Sequence, residues 1–449
     1  MLVTLLTGFV VGMVLASYLT MVSVQNQSTL RSLSWNACVP ATEAGVEEAL
    51  TAVYTYGTTN LASGGWVKND TDGLYHKTGD LGNGFTYEVG IRPPSIGSPD
   101  QPTIEALGYA PAPANLATSY QSPYAMILGG LIPTYTPNGL ASKRKILVNC
   151  GRQSPMQYAM LAKYKIDLNG NNISTDSFDS TDPAWSGIGG VWDPNLRKDK
   201  GDVATNQGLV DSVSIGNADI RGHVKTGPGG SVAVGSNGAV GDQAWVTNTH
   251  GIKPGWVSDD CNIDIPSVKQ PYNGAPKPPD GTYDGVYYDY VLSWGRWKVQ
   301  DFHGKVLVTD QAQVLVTTSF SFSGSDGITI KNGASLEVYV ACDKATLGGN
   351  GIQNPGDAMS FIYYGLDSNT SLTFGGNSAF TGTIYAPNAD FKLGGSGSGE
   401  YDFIGASVTK TVTMTGHFHF HYDESLSRRF PIALYMVNGW HEMNPNITN

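Results

Sequence analysis

Apolar positions crowd the front of the chain. Residues 1–24 are hydrophobic apart from Thr4, Thr7, Gly8, Gly12, Ser17, Thr20 and Ser23, and the first charged side chain is Arg31. About 20 apolar residues in a helix cross a bilayer core, so this run is long enough to do so. Residues 25–57 carry no turn signal before Gly57 except Pro40 and Gly45. Leu30, Leu33, Ala37, Ala41 and Ala44 recur at helical spacing, as do Val46, Ala49, Leu50 and Val53. The pattern predicts one helix running to a C-cap at Gly57, kinked at Pro40 because proline removes a donor and crowds the preceding turn. At about 1.5 Å per residue, such a helix is a rod of roughly 80 Å. Its first half is apolar and its second half amphipathic, which suits insertion followed by docking onto a globular domain.

Beyond residue 57 the pattern turns to strands. Residues 58–158 read as a small antiparallel β head, with strands at 85–91, 102–109 and 143–150 and a Pro/Ala/Tyr-rich insertion at 110–140. A sheet of about three strands needs a cover such as the amphipathic half-helix. Residues 159–425 consist of short alternating runs closed by Gly, Asn, Asp or Ser, for example 165–170, 213–217, 327–333, 371–377 and 412–416. Each run supplies a strand and each Gly/Asn corner a sharp bend. Many such rungs stack into a solenoid, read here as a right-handed parallel β-helix, with a β-sandwich as the alternative. A Pro-rich loop at 271–281 and the aromatics Tyr283, Tyr287, Tyr288, Tyr290, Trp294 and Trp297 interrupt it between 262 and 300. Residues 426–449 are expected to return along the head. The fold class is α+β, mostly β.

Trp35-Asn36-Ala37, followed by Thr42-Glu43-Ala44-Gly45-Val46-Glu47-Glu48-Ala49-Leu50, sits directly behind the apolar run. With that run, it resembles the N-terminus of type IV pilin-like proteins of the PilX-type group. A signal peptide would open on positive charge and have a shorter apolar core, so a mature chain trimmed of a basic leader is expected. Phe380 to Ala389, Phe403 to Val408 and His419 to Glu424 resemble a β-helical domain that follows such N-termini. The resemblance implies a structural subunit of a type IV pilus-like extracellular filament on the cell surface. The subunit is held in the inner membrane until the pilus assembly machinery moves its helix into a helical bundle of identical helices. Leu2, Leu5, Leu6, Phe9, Val10, Met13, Val14, Tyr18 and Leu19 would form that polymerisation core. Most major pilins carry glutamate where this chain has Leu5. That departure keeps two alternatives open: a minor tip pilin acting in adhesion or assembly priming, and a membrane-anchored surface protein that does not polymerise.

The formal net charge is −11 and only 14% of residues are charged. Nucleic acid is therefore not an expected partner, because phosphate binding needs basic patches. Cys38, Cys150, Cys261 and Cys342 form no CxxC pair, and an even number in an exported protein points to disulfides. Four cysteines allow three pairings; Cys38–Cys150 with Cys261–Cys342 is the expectation adopted, and buried thiols are the alternative. His417, His419 and His421 alternate with aromatics, which places three imidazoles on one face of a strand. They are weak candidates for a transition-metal site, against a plain closing rung of the solenoid. Asp176, Asp179 and Asp182 are conceivable calcium ligands, against an acid-rich turn. No nucleophile elbow, phosphate loop or HExxH motif occurs, so neither enzymatic activity nor a cofactor is expected.

Overall fold

The computed structural model describes residues 1–94, 101–111, 141–170, 172–375, 380–394, 401–415, 417–432 and 434–445. Most of the 110–140 insertion lies outside them. The chain divides into two compact units, Met1–Gln153 with Leu434–Asn449, and Ser154–Ala433.

In the first unit, helix α1 spans Leu2–Ala37 and α2 spans Val39–Tyr56. They are separated by a single turn residue, Cys38, whose N–H bonds to Trp35 O. Pro40 has no N–H to offer the carbonyl four residues back, so the regular ladder lapses there. Helix α2 buries Ala41, Thr42, Gly45, Val46, Ala49, Ala52 and Val53, the stripe expected of a helix lying on a sheet. It stops at Gly57, whose φ of 67° suits glycine.

That stripe packs on strands β1 (Val67–Lys68), β2 (Tyr75–Gly82), β3 (Phe85–Arg92), β4 (Thr103–Pro111) and β5 (Ala141–Gln153). The C-terminal strand Leu434–Met443 completes the sheet beside β5, and all neighbours run antiparallel. Strands β2 and β3 form a hairpin through Asn83 and Gly84, at φ of 54° and 80°, the geometry Asn-Gly turns favour. Burial alternates along β4, and Ile104, Ala106, Ile146 and Val148 meet Val46, Ala49 and Val53 of α2. Residues 426–449 do not act as one segment. The short helix Leu426–Arg429 belongs to the second unit, whereas Leu434–Met443 belongs to the first sheet.

The second unit is built from parallel ladders. One in-register row runs Val338, Tyr363, Ile384, Ser407, Met160, Val203, Val224, Val257. A second runs Leu372, Phe391, Val412, Ile166, Val213, Val232. A third runs Phe380, Phe403, Phe420, Thr175, Ile220, Val240. Rungs from residues 160–258 therefore stack on those from 401–423, although they come first in the chain. Inward positions fill with apolar side chains, and Phe380, Phe403 and Phe420 stack with centroids 4.4 and 4.2 Å apart. The interruption expected over 262–300 is narrower than that. Tyr290–Leu292 pairs with Lys305–Val308, and Gly295–Phe302 with Gln311–Phe322, so both are ordinary rungs. Residues 259–280, which hold most of the Pro-rich loop, form no strand, and the small Gly281–Tyr283/Val286–Tyr288 hairpin also stands apart from those ladders.

Candidate functional site

Helix α1 presents a long apolar surface from Leu2 to Met21 that stays exposed, with none of the described residues burying it. Leu2, Leu5, Leu6, Phe9, Val10, Met13, Val14, Tyr18 and Leu19 are all exposed, and Leu19, the most covered of these, is still 37% exposed. Its most apolar stretch has a mean hydropathy of 2.1 and is 0% buried. The threonine hydroxyls do not spoil it. Thr4, Thr7, Thr20 and Thr29 donate to the carbonyls of Met1, Val3, Ala16 and Gln25, so their polar atoms are satisfied within the helix. Among the described residues, no atom lies within 4 Å of where a side chain would begin at Gly8 or Gly12, leaving room for another helix to approach closely. An unbroken exposed apolar surface of this size marks an interaction with lipid or protein.

The head holds α2, the continuation of that helix, tightly. At Gly108 of β4, an added Cβ would lie 2.6 Å from Thr42 N and 2.7 Å from Cys38 O. Glu48 of α2 pairs with Lys77 Nζ at 2.7 Å and accepts the Tyr87 hydroxyl. Burial alone would raise the Glu48 pKa, but the Lys77 and Tyr87 bonds outweigh it and lower it. Burial and the Glu48 carboxylate push Tyr87 up to about 12.

The four cysteines are free and buried, so the expected Cys38–Cys150 and Cys261–Cys342 pairs are not formed. Cys38 Sγ donates to Ser142 O at 3.2 Å. Cys150 lies on the same strand eight residues further on, about 26 Å away at ~3.3 Å per residue, whereas a disulfide needs Cα atoms within about 7 Å. Cys261 and Cys342 each follow a strand of the first row, four residues past Val257 and Val338. Seven rungs at ~4.8 Å separate those positions, roughly 34 Å.

On the outer face of the third row, His419 and His421 alternate with the inward Phe418, Phe420 and Tyr422. In-register pairing sets Asp402 beside His419 and Asp176 beside His421. His421 Nδ1 is 2.6 Å from Asp176 Oδ1, and its Nε2 is 3.4 Å from Asp402 Oδ1. His419 Nδ1 is 3.9 Å from the same Asp402 oxygen. One donor atom from each of Asp402, His419 and His421 falls within a 4.8 Å cluster. His417 is not part of it and instead meets Asn172 Nδ2 at 3.4 Å. Trp192 stacks on His421 at 3.7 Å. Burial disfavours the charged imidazolium, but the bonds to Asp176 and Asp402 outweigh it and raise the His421 pKa. The His421 bond, against an opposing burial effect, holds Asp402 low. Beside the cluster opens a cavity of about 620 Å³, which Trp192, Arg197, Asp219, Arg221, His419 and His421 help to line. The HxHxH spacing shows the shared face, but nothing in the sequence points to Asp176, which lies 245 residues from its partner.

The other candidates resolve into structural roles. Asp179 is bound by Arg428 Nη2 at 2.7 Å and by Thr181, and Asp182 accepts the Ala184 N–H, so with Asp176 committed to His421 the three do not share a calcium site. Tyr290 is buried and bonds to Asp301 O, whereas Tyr283, Tyr287 and Trp294 are exposed.

Residues 282–429, about a third of the chain, match the family model of a domain of unknown function, DUF7305. The match takes in 380–389, 403–408 and 419–424. No curated protein matches. Among solved structures, the chain is similar to the competence-associated pilin ComZ from Thermus thermophilus at 8% identity and a TM-score of 0.21, covering 91% of this chain and 97% of that one. At that score the likeness carries neither fold nor role to this chain.

Proposed function

We propose that the chain is a structural, non-catalytic subunit of a type IV pilus-like extracellular filament. One observation carries the reading: a 36-residue helix, apolar over its first two-thirds, is exposed from Leu2 to Met21 while its continuation is docked on a sheet. Before assembly, α1 sits in the inner membrane. The assembly machinery then draws it into a bundle of identical helices, with the β units outside. Lipid tails are as apolar as the side chains they release, so packing, not hydrophobic transfer, must drive the bundle. The exposed Gly8 and Gly12 suit close packing. The parallel ladders of Ser154–Ala433 support reading that unit as a right-handed parallel β-helix displayed on the filament surface. The N-terminal motifs support the PilX-type assignment.

Leu5 favours a second reading, a minor tip pilin for adhesion or assembly priming, because no carboxylate is present there to meet a neighbour's N-terminus. Phe9→Glu is the test. An unpaired carboxylate at the centre of an apolar helix costs about 2.5–3.5 kcal/mol by insertion scales. The variant is expected to be expressed with a folded head yet absent from the sheared surface fraction. Wild-type amounts of filament from Phe9→Glu overturn the proposal, and a wild-type chain found only in trace amounts within another filament selects the tip reading.

A further inference from the structure

We propose that Asp402, His419 and His421 form a binding site for a divalent transition-metal ion of the zinc type, with Asp176 as the outer partner that orients His421. The site is independent of filament formation.

Three features of the geometry support it. The first is ligand spacing. Zinc bonds of about 2.0–2.1 Å in a tetrahedron place neighbouring donor atoms about 3.3 Å apart. Asp402 Oδ1 lies 3.4 Å from His421 Nε2 and 3.9 Å from His419 Nδ1, so small side-chain rotations close the set. The second is the outer partner. Metal-bound histidines almost always donate their other ring N–H to a carboxylate or carbonyl, which fixes tautomer and ring plane. The buried Asp176 carboxylate accepts from His421 Nδ1 at 2.6 Å, and Trp192 clamps the same ring from one face. This leaves Nε2 aimed at Asp402; the metal takes the place of any Nε2 proton, which passes to solvent.

The third feature is access. Three protein ligands leave at least one coordination position open, and His419 and His421 both line the 620 Å³ cavity. The buried indole N–H of Trp192 has no hydrogen-bond partner among the described residues, so the same cavity holds a donor suited to a water or anion bound on the metal. The charges facing it are mixed. Asp219 accompanies Asp176, while Arg197 and Arg221 oppose them, with Arg221 tied to Gln243 Oε1 at 2.6 Å. An anionic fourth ligand, such as a carboxylate or hydroxide, would satisfy both the metal and the arginines. The parallel register is what assembles the set, because each rung repeats the outward position about 4.8 Å from the last.

The test is titration of the purified full-length chain with Co²⁺ and Zn²⁺ alone. The expected result is one ion per chain, a tetrahedral Co²⁺ visible spectrum and displacement of Co²⁺ by Zn²⁺. His419→Ala and the isosteric Asp402→Asn both change partly exposed side chains and are expected to weaken binding about 10- to 100-fold or more, as is Asp176→Asn. His417→Ala is expected to bind like wild type. Circular dichroism confirms that each variant is folded. Absence of stoichiometric binding to the folded wild type, or unchanged affinity in folded Asp402→Asn and His419→Ala, overturns the site.

Discussion

Replacing Gly108 by alanine tests how firmly the helix is held on the head. The new methyl would sit 2.6 Å from Thr42 N and 2.7 Å from Cys38 O, against an ordinary contact of at least 3.4 Å. The start of α2 must therefore move away by about 0.8 Å. Its backbone is not free to do so. Cys38 O already accepts the Thr42 N–H at 3.0 Å and the Thr42 hydroxyl at 2.7 Å, while Cys38 Sγ is held by Ser142 O. Overpacking of this kind costs about 1–3 kcal/mol. In a unit of this size, each kcal/mol lowers the melting temperature by roughly 2–4 °C, so a fall of about 2–12 °C is expected for the head transition. Scanning calorimetry of the full-length chain in detergent, with tryptophan fluorescence following Trp66, gives the value. Gly274→Ala is the control, since nothing lies within 4 Å of its added methyl. If Gly108→Ala melts with the wild type, the close approach of α2 to β4 is wrong.

Three further expectations follow from the packing and charge. Phe403→Ala removes the middle ring of the Phe380–Phe403–Phe420 stack and is expected to cost about 3–5 kcal/mol; a loss below 1 kcal/mol in urea unfolding contradicts that core. Burial works against the charged Asp179, but Thr181 and Arg428 hold its pKa below the ordinary 3.8. A depressed carboxylate contributes stability above its unfolded pKa and loses it as pH falls through the folded one. The wild type should therefore lose more stability than Asp179→Asn on acidification below about pH 4, and parallel profiles would discount the ion pair. Ellman titration in guanidinium without reductant should count all four thiols, which are free in the structure. In the folded chain they should react very slowly, because burial pushes Cys150 and Cys261 up to about 11. A count of two or none restores the disulfides.

Local periodicity made much of the first unit legible. The helix, its break near Pro40 and its Gly57 cap follow from spacing and from proline chemistry. The 85–91 and 143–150 runs fall inside β3 and β5, and the 102–109 run overlaps β4 from its second residue on. Strand β2 is missing from the sequence reading, because none of Tyr75–Gly82 is buried and the stretch has no hydrophobic alternation. Long-range pairing was not legible. The rungs of 160–258 stack on those of 401–423 and not on the rung that follows them in the chain, an order no local pattern encodes. The same reason hides the histidine site: alternation puts His419 and His421 on one face, but Asp176 and Asp402 reach them only through that stacking. The cysteine pairing failed because position along a strand and rung number, not parity, set the distance between thiols.

The filament reading stands or falls on where α1 lies in the assembled state. Cryo-electron microscopy of filaments sheared from cells expressing this chain measures it directly. The account predicts a core of α1 helices from successive subunits, with Phe9 and Met13 packed between them and Gly8 and Gly12 at the close crossings. Filaments with some other core, or the chain recovered solely as single copies with α1 in lipid, would contradict it.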